Sequence, residues 1–568
     1  VDSHSTDQTV DFAGSYPKVR VIDADWHGFS ANKRLAVEQC THDWILWLDA
    51  DEEVTYDLQQ EILSLPEDFH LHYDAFTIPR KTFFMGEYAR IFYPSRSGRL
   101  FHKHRCGFNN KIVHEGLLIH DKNRLGHLRE CLNHFSYDTL EHFFRKMHFY
   151  GRYGGEELLN KKKIMGKWRL VLSPLYTFFK YYIIAGGFLD RRFGLIVSLG
   201  SSYANFIKYT HYYFLLGQKK SEALRNELAH KTIILSRTDN IGDVMLTIPL
   251  ASILREKIPG IQIVFLGRRY TSAVLKASGF IDRFVAVEDI LEGQLSLETL
   301  QAQAIVFAYP DRKLASLAKH AGIPIRVGTS HRWYNLLYCN HTVNLGRRHS
   351  DLHEAQLNLQ LLEPLGIGSS YSPYQLEHRY ALKSHAVLPQ QLQSLLDTNR
   401  FVLLMHPKSK GSAREWPSAS YASLSKQLLP EQYQVIVTGT AEEGQRLTEE
   451  GFWSACGEHV FNATGMLSLD QLLALIQQSD GLLACSTGPL HMASAVGIHA
   501  LGLYPPMRPI HAGRWAPIGP NADYLSLSKE CSDCRKNMDC HCLRSITVEE
   551  VYLHLNHWKK LHAHRIPA

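Results

Sequence analysis

The pattern of apolar and polar positions divides the chain into stretches of different character. From Val19 to about Tyr137, short β-rich runs alternate with turn residues, and such runs predict strands at Val19–Ile22, Trp44–Leu48, Ala75–Ile78, Ile112–Ile119 and Leu128–Phe135. A helical spacing follows from about Asp138 to Lys163. The next stretch, Leu170–Leu216, is dense in aromatics, and Tyr203, Phe206, Ile207, Thr210, Tyr213 and Phe214 keep the spacing of one helix face. A polar linker is expected at about Gly217–His230. Beyond it, predicted strands Thr232–Leu235, Ile261–Leu266, Ala304–Phe307 and Ile325–Val327 alternate with helical stretches. A second such series takes in Phe401–Met405, Gln434–Val437, Gly481–Ala484 and Ala500–Leu503. Two successive βαβ series predict two doubly wound parallel-sheet lobes facing a cleft.

The expected organisation is α/β throughout. A mixed domain at 1–150 carries a helical, aromatic-rich extension at 151–218. A linker at 219–231 leads to a first lobe at 232–385 and a second at 386–568. The chain opens on Val1-Asp2-Ser3, which reads as the end of a strand entering a polar turn, so a first strand is expected ahead of Val1. Apolar residues make up 45% and charged residues 21%, which excludes a disordered, collagen-like or disulfide-scaffold chain. The 62 basic against 56 acidic residues leave +6, too mild to imply a nucleic-acid partner but suited to phosphate-bearing substrates or an anionic membrane. Ten cysteines in 568 residues point to a reducing compartment.

Candidate chemistry begins at Asp49-Ala50-Asp51, directly after the apolar run Trp44–Leu48. Alternate residues of an extended segment point the same way, so both carboxylates can converge on one site. Hard oxygen ligands suit Mg²⁺ or Mn²⁺, which can bridge a diphosphate; the alternative is a solvated acidic turn. The surrounding residues resemble the family 2 glycosyltransferases, and among them the lipopolysaccharide-core β-1,4-glucosyltransferase type. The matching residues are Val1-Asp2-Ser3 with Ser5-Thr6-Asp7, Trp26-His27-Gly28-Phe29-Ser30 with Asn32, and Asp43–Leu46 running into Leu48–Glu52. Arg99-Leu100-Phe101 and Val113-His114-Glu115 complete the likeness, which runs from Val1 to about Leu216. It implies an incomplete GT-A fold lacking its first strand, a UDP-sugar donor, Asp2 on the nucleotide, and Asp49 and Asp51 holding the metal on the diphosphate. An inverting transfer needs a carboxylate to take the acceptor proton. Glu115 is the candidate base, beside a potential metal ligand in His114; the alternative is a polar residue on a half-exposed strand.

A second constellation follows the predicted strand Thr232–Leu235. Ser236-Arg237-Thr238-Asp239-Asn240-Ile241-Gly242-Asp243 makes a tight strand-to-helix turn, with Asp243 at the helix start. That position suits a cap and keeps the carboxylate ionised at neutral pH, so one residue can cap and act as a base. In the second lobe, residues 406–417 carry Ser409, Lys410, Gly411 and Arg414 beside a helix that Pro417 can open, and hydroxyls, glycine and cations at a helix start can cradle a diphosphate. Ser486-Thr487-Gly488-Pro489-Leu490-His491 again joins a strand to a helix.

These residues, from about Lys231 to Trp558, resemble the family 9 glycosyltransferases, the ADP-heptose:lipopolysaccharide heptosyltransferases of GT-B fold with two Rossmann-like lobes. The likeness implies that Asp243 is the base and that Arg237 contacts the acceptor. It puts Ser409, Lys410, Arg414, Thr487, Gly488 and His491 on the donor. Ser486 stands where family members often carry Asp, which weakens the expected bond to the donor sugar or ribose. A single inverting displacement without an obligatory metal is implied, with basic groups and helix N-termini stabilising the departing ADP.

Cys531, Cys534, Cys540 and Cys542 gather in twelve residues, and Zn²⁺ accepts four thiolates, with His541 as a substitute ligand. A metal-free reduced loop or paired thiols are the alternatives. The aromatic stretch is too interrupted by Lys180 and Asp190–Arg192 to span a bilayer. It reads as an interfacial amphipathic element, with a packed core helix as the rival.

The combined expectation is a bifunctional inverting glycosyltransferase of lipopolysaccharide core assembly. Its partners would be a UDP-hexose, ADP-heptose and a lipid A–core acceptor, on the cytoplasmic face of the inner membrane. Two rivals stand beside it: a first domain that only docks the enzyme to a membrane, or a pair of transferases serving capsule or protein acceptors.

Overall fold

The structure, a computed structural model, describes residues 1–25, 29–92, 95–108, 117–162, 164–347, 350–396, 399–411, 413–527, 531 and 540–563. The chain divides into two compact units, Val1–Lys219 and Lys220–Ala568.

The first unit is built on a seven-stranded mixed sheet. Its main path runs Trp44–Leu46, Ser95–His102, Ala75–Phe84, Leu132–Tyr137, Glu52–Val54. The long strand Ala75–Phe84 lies antiparallel to Ser95–His102 and parallel to Leu132–Tyr137. Period-two alternation sends Phe76, Ile78 and Leu100 into one apolar layer and Ala75 and Phe101 into the other. The strand expected at Val19–Ile22 does not form. Val19 is exposed, that run has no apolar layer to alternate against, and pairing there is limited to a single bridge between Asp2 and Asp23. Of the run Ile112–Ile119, Leu117–Ile119 is a strand paired with Cys106–Phe108, and residues 112–116 lie outside the described residues.

Helix Leu140–Asn160 starts where the Thr139 hydroxyl accepts the amide of His142 at 3.1 Å. It packs on the long helix Arg191–Leu228 through Gly151, where an added Cβ would sit 2.7 Å from the Ala204 carbonyl oxygen. The aromatic helix face expected around Tyr213 is therefore mixed. Tyr212 is buried and the Tyr213 hydroxyl donates to the Met165 carbonyl at 2.9 Å, while Phe206 and Phe214 stay exposed. The segment 219–231, read as a polar linker, is helical as far as Leu228. Its polar residues are good helix formers, and Leu224 and Leu228, four positions apart, pack against the first lobe's core.

The second unit contains two parallel six-stranded sheets. In the first lobe the order is Arg283–Ala286, Gln262–Gly267, Thr232–Ser236, Ala302–Phe307, Ile325–Thr329, His341–Val343. In the second it is Phe461–Asn462, Tyr433–Val437, Phe401–His406, Gly481–Cys485, His499–Leu503, Ala522–Leu525. Each sheet places its first strand beside its fourth, so the connections diverge there and leave a crevice at the strands' carboxyl ends. Both faces of these strands are covered, which is why Phe401–His406 is buried at every position and reads as a continuous apolar run.

Candidate active sites

In the second unit, Thr232–Ser236 ends at the crevice of the first lobe, and the following turn delivers Arg237, Asp239 and Asp243. Gly481–Cys485 ends at the crevice of the second lobe and runs through Ser486 into helix Gly488–Val496. The two helix starts meet: a Cβ on Gly488 would lie 2.9 Å from Cβ of Ile241, so only glycine permits this approach. They wall a cavity of about 920 Å³ that Asp243, Ser409, Lys410, Arg414, Ser486, Thr487, Gly488 and His491 all line. A smaller cavity of about 300 Å³ opens on the far side of Asp243, lined by Arg237, Tyr309, Arg332, Arg347, Glu354 and Arg514.

Arg237 is the centre of this arrangement. Its guanidinium pairs with Asp243 through Nη2, with Asp239 at 2.8 Å and with Glu354 at 3.2 Å. Burial pulls its pKa down, but the three carboxylates outweigh burial, and Arg237 holds its proton more tightly than usual. Asp243 is pushed up to about 6, by burial first and by Asp239 and Glu354 next, against the pull of Arg237. The helix start therefore does not set its basicity as the sequence suggested; desolvation does. A carboxylate raised toward the operating pH suits a group that takes up a proton.

Sequence reasoning named Arg237 but missed Glu354, Arg347 and Arg514. Glu354 is almost wholly buried, yet three arginines hold it below its ordinary pKa against the opposing effect of burial. Arg347 reaches Glu354 Oε1 at 3.3 Å, and Arg514, from the second lobe, reaches Oε2 at 2.9 Å. His353, beside it, is neutral: burial pulls it down to about 4, and Nε2 faces the Ala516 carbonyl oxygen at 2.9 Å. These residues are scattered over nearly 280 positions, so no local spacing signals them.

The donor-side residues divide. Thr487 Oγ1 and His491 Nδ1 are buried without a partner beside the cavity, as expected of groups that bond a ligand. His491 is pulled down to about 3, by burial and then by His353, and so is a neutral hydrogen-bonding group, not a cation. Ser409 is turned into its own loop, bonding Glu415 at 2.9 Å and the Ala413 carbonyl at 3.1 Å. Lys410 is exposed and pairs with Glu442 at 3.3 Å.

In the first unit, Asp49-Ala50-Asp51 forms a turn between Trp44–Leu46 and Glu52–Val54, not a strand end with both carboxylates aligned. Asp49 is held by Lys33 at 2.7 Å on one oxygen and Arg99 at 2.7 Å on the other. Burial raises its pKa, but Arg99 and Lys33 prevail and hold it at about 2. Both cations also lie over the Trp47 ring. Asp51 faces His134 at 3.3 Å, and that contact keeps it below its usual value despite burial. Asp2 accepts the amide and hydroxyl of Ser5 at 2.8 and 2.6 Å.

Asp51, half-exposed and presenting hard oxygens, fits a divalent cation. Asp49, with a cation on each oxygen, does not in this arrangement. His114 and Glu115 lie outside the described residues, as do 26–28 of the quoted motif and Cys534 of the cysteine cluster. Cys540 and Cys542 are buried in the apolar core of the second lobe, with Cys531 packed against it. Among the described residues no three His, Cys, Asp or Glu side chains are grouped as metal ligands.

Comparisons with known proteins bear on both units. The model for Glycosyltransferase family 9 (heptosyltransferase) matches residues 299–542, and that for Glycosyl transferase family 2 matches residues 1–113. An uncharacterized glycosyltransferase of Rickettsia bellii is 30% identical over 223 residues, covering 37% of this chain and 74% of that protein. Lipopolysaccharide heptosyltransferase 2 of Escherichia coli is 34% identical over 107 residues, covering 17% of this chain and 29% of that protein. Among solved structures, E. coli ADP-heptose lps heptosyltransferase II aligns with a TM-score of 0.46 at 20% identity, over 59% of this chain and 99% of its own.

Proposed function

Since the chain belongs to the glycosyltransferases, joining a family 2 domain to a family 9 heptosyltransferase domain, we propose that it performs two inverting transfers in lipopolysaccharide core assembly. The second unit takes heptose from ADP-heptose and the first takes a hexose from a UDP-sugar. The observation that carries the reading is Asp243, paired with Arg237 and lining both a large cavity and a small one.

The acceptor hydroxyl binds on the small-cavity side, and Asp243 takes its proton as the oxygen attacks the anomeric carbon. The new C–O bond forms as the bond to the diphosphate breaks, inverting the centre. The negative charge that develops on the leaving ADP is met by the start of helix Gly488–Val496, Thr487, and the Lys410 and Arg414 side chains. Arg237 fixes the Asp243 carboxylate and keeps the acceptor side positive. In the first unit, Asp51 would hold Mg²⁺ or Mn²⁺, which would neutralise a diphosphate, while Asp49 stays tied to Lys33 and Arg99. No metal is needed by the second unit under this reading. The acceptor is a lipid A–core molecule, which places the enzyme peripherally on the cytoplasmic face of the inner membrane.

Mass spectrometry of products from purified lipid A–core acceptor, offered UDP-hexoses and ADP-heptose in turn, tests this. Mass gains of one heptose and one hexose are expected. The pairing of both Asp49 oxygens with Lys33 and Arg99 favours a second reading, in which the first unit only docks the enzyme; a heptose gain with no hexose gain from any UDP-sugar would select it.

A further inference from the structure

Helix Arg169–Phe179 is packed the wrong way round for a water-facing helix. Pro174 and Thr177 are its buried residues, and it meets the long helix through polar contacts: Asn205 Nδ2 to Thr177 Oγ1 at 2.6 Å, and Ser202 Oγ to the Pro174 carbonyl at 2.9 Å. Its outer face is Val171, Leu172, Leu175, Tyr176 and Phe179, each more than half exposed, and Ile184 at 69% extends it beyond the helix. Leaving such a row in water costs free energy, and contiguous apolar patches mark interaction surfaces.

The charges around this face identify what covers it. Residues 158–189 contain six Lys or Arg and no Asp or Glu. Lys162 and Lys167, ahead of the helix in sequence, and Lys180, directly after it, are exposed. A second copy of the chain would bring like charges face to face. An anionic surface with an apolar interior meets both features. Eleven residues of helix span roughly 16 Å, about half a bilayer's hydrocarbon thickness. Among the described residues no helix is long and apolar enough to cross a membrane. The element would lie in the interface plane, with its aromatics at headgroup depth.

We propose that the outer face of residues 168–189 docks the protein onto a bilayer carrying anionic headgroups. This deepens the membrane-bound acceptor reading by naming the surface that reaches it. It also differs from the aromatic face around Tyr213, which is partly packed inside the unit.

The test is co-sedimentation of the full chain with vesicles of phosphatidylcholine alone, or of seven parts phosphatidylcholine to three of phosphatidylglycerol. Sedimentation with the anionic vesicles only is expected, falling about tenfold or more at 0.5 M salt. The triple variant Leu172→Ser, Leu175→Ser, Phe179→Ser should lower partitioning at least ~100-fold with an unchanged melting temperature. Should that variant fail to fold, Lys167→Glu with Lys180→Glu replaces it, and loss of anionic-vesicle binding is again expected. Native protein left in the supernatant at low salt would overturn the proposal, as would folded variants that sediment like the native chain. A native dimer that the triple variant dissociates, with no vesicle binding, would assign the face to a second copy. The vesicles hold no sugar acceptor, so this result stands or falls separately from glycosyl transfer.

Discussion

Asp49 and Asp243 are both carboxylates paired with an arginine near the end of a strand, yet their acidities diverge. Asp49 is paired with Lys33 and with Arg99, which it shares with Glu52, and is held at about 2. Asp243 shares Arg237 with Asp239 and Glu354, is more deeply buried, and rises to about 6. The difference lies in burial and in the carboxylates that neighbour Asp243, not in the presence of an ion pair. Asp49, with a cation on each oxygen, stays ionised to low pH. Asp243, more deeply buried and with Asp239 and Glu354 beside its arginine partner, is a base poised near neutral pH.

The comparison breaks most visibly at Glu354. Replacing Glu354 with Ala leaves Arg237, Arg347 and Arg514 without their shared counter-charge, and a loss of about 3–5 kcal/mol in the second unit is expected by denaturant titration. An unchanged midpoint would mean the cluster does not stabilise that unit. Next in size, Asp243→Ala should lower heptosyl transfer by ~10²-fold or more while ADP-sugar binding persists by calorimetry. Near-native turnover would remove Asp243 from the role of base.

The pH dependence sharpens the contrast. Heptosyl transfer needs Asp243 deprotonated, so kcat should climb as pH rises through about 6 and level off above it. Glu354→Gln, if folded, removes a raising influence, so the climb should shift to lower pH; a midpoint that stays put would discount the Glu354 charge. Chelation acts on the other unit. EDTA should weaken UDP-sugar binding by about tenfold and spare ADP-heptose transfer, because Asp51, the carboxylate that fits a divalent cation, belongs to the first unit. Equal loss of both would contradict that division.

The smallest effect concerns Asp49. Its folded pKa lies below the unfolded value, so it adds stability above about pH 4 that is lost as pH falls toward 2. Allowing for partial exposure, the contribution is on the order of 1–2 kcal/mol. Hydrogen exchange over residues 44–102 should show this acid-dependent loss of protection in the native chain and not in Arg99→Met. The same loss in both would free Asp49 from its assigned partner.

Much of this architecture is legible locally. The two βαβ series read correctly because parallel strands covered on both faces must be continuous apolar runs, as at Phe401–His406, and because each turn at a strand's carboxyl end carries its own signature. Asp243, Thr487, Gly488 and His491 come to one cavity for that reason. Val19–Ile22 misled because β-branched residues make a strand only where a neighbouring strand and an apolar layer receive them. The helix through residues 219–228 hid in polar composition, since two leucines on one face suffice once a lobe is there to cover them.

The sequence by itself determined the fold class, the two glycosyltransferase family domains, and which strand-to-helix turns come to the second unit's cavity, because those depend on spacing within a few residues. Only the tertiary structure decided what each carboxylate is. Arg237, Arg347, Glu354 and Arg514 meet from positions far apart in the chain, and Lys33 and Arg99 close on Asp49 from either side of it in sequence. The outward apolar face of Arg169–Phe179 was likewise decided by packing, since periodicity reveals that a helix has an apolar side but not which way that side turns. Burial and counter-charge are properties of neighbours in space, and they set both the acidity of a side chain and whether an apolar row becomes core or surface.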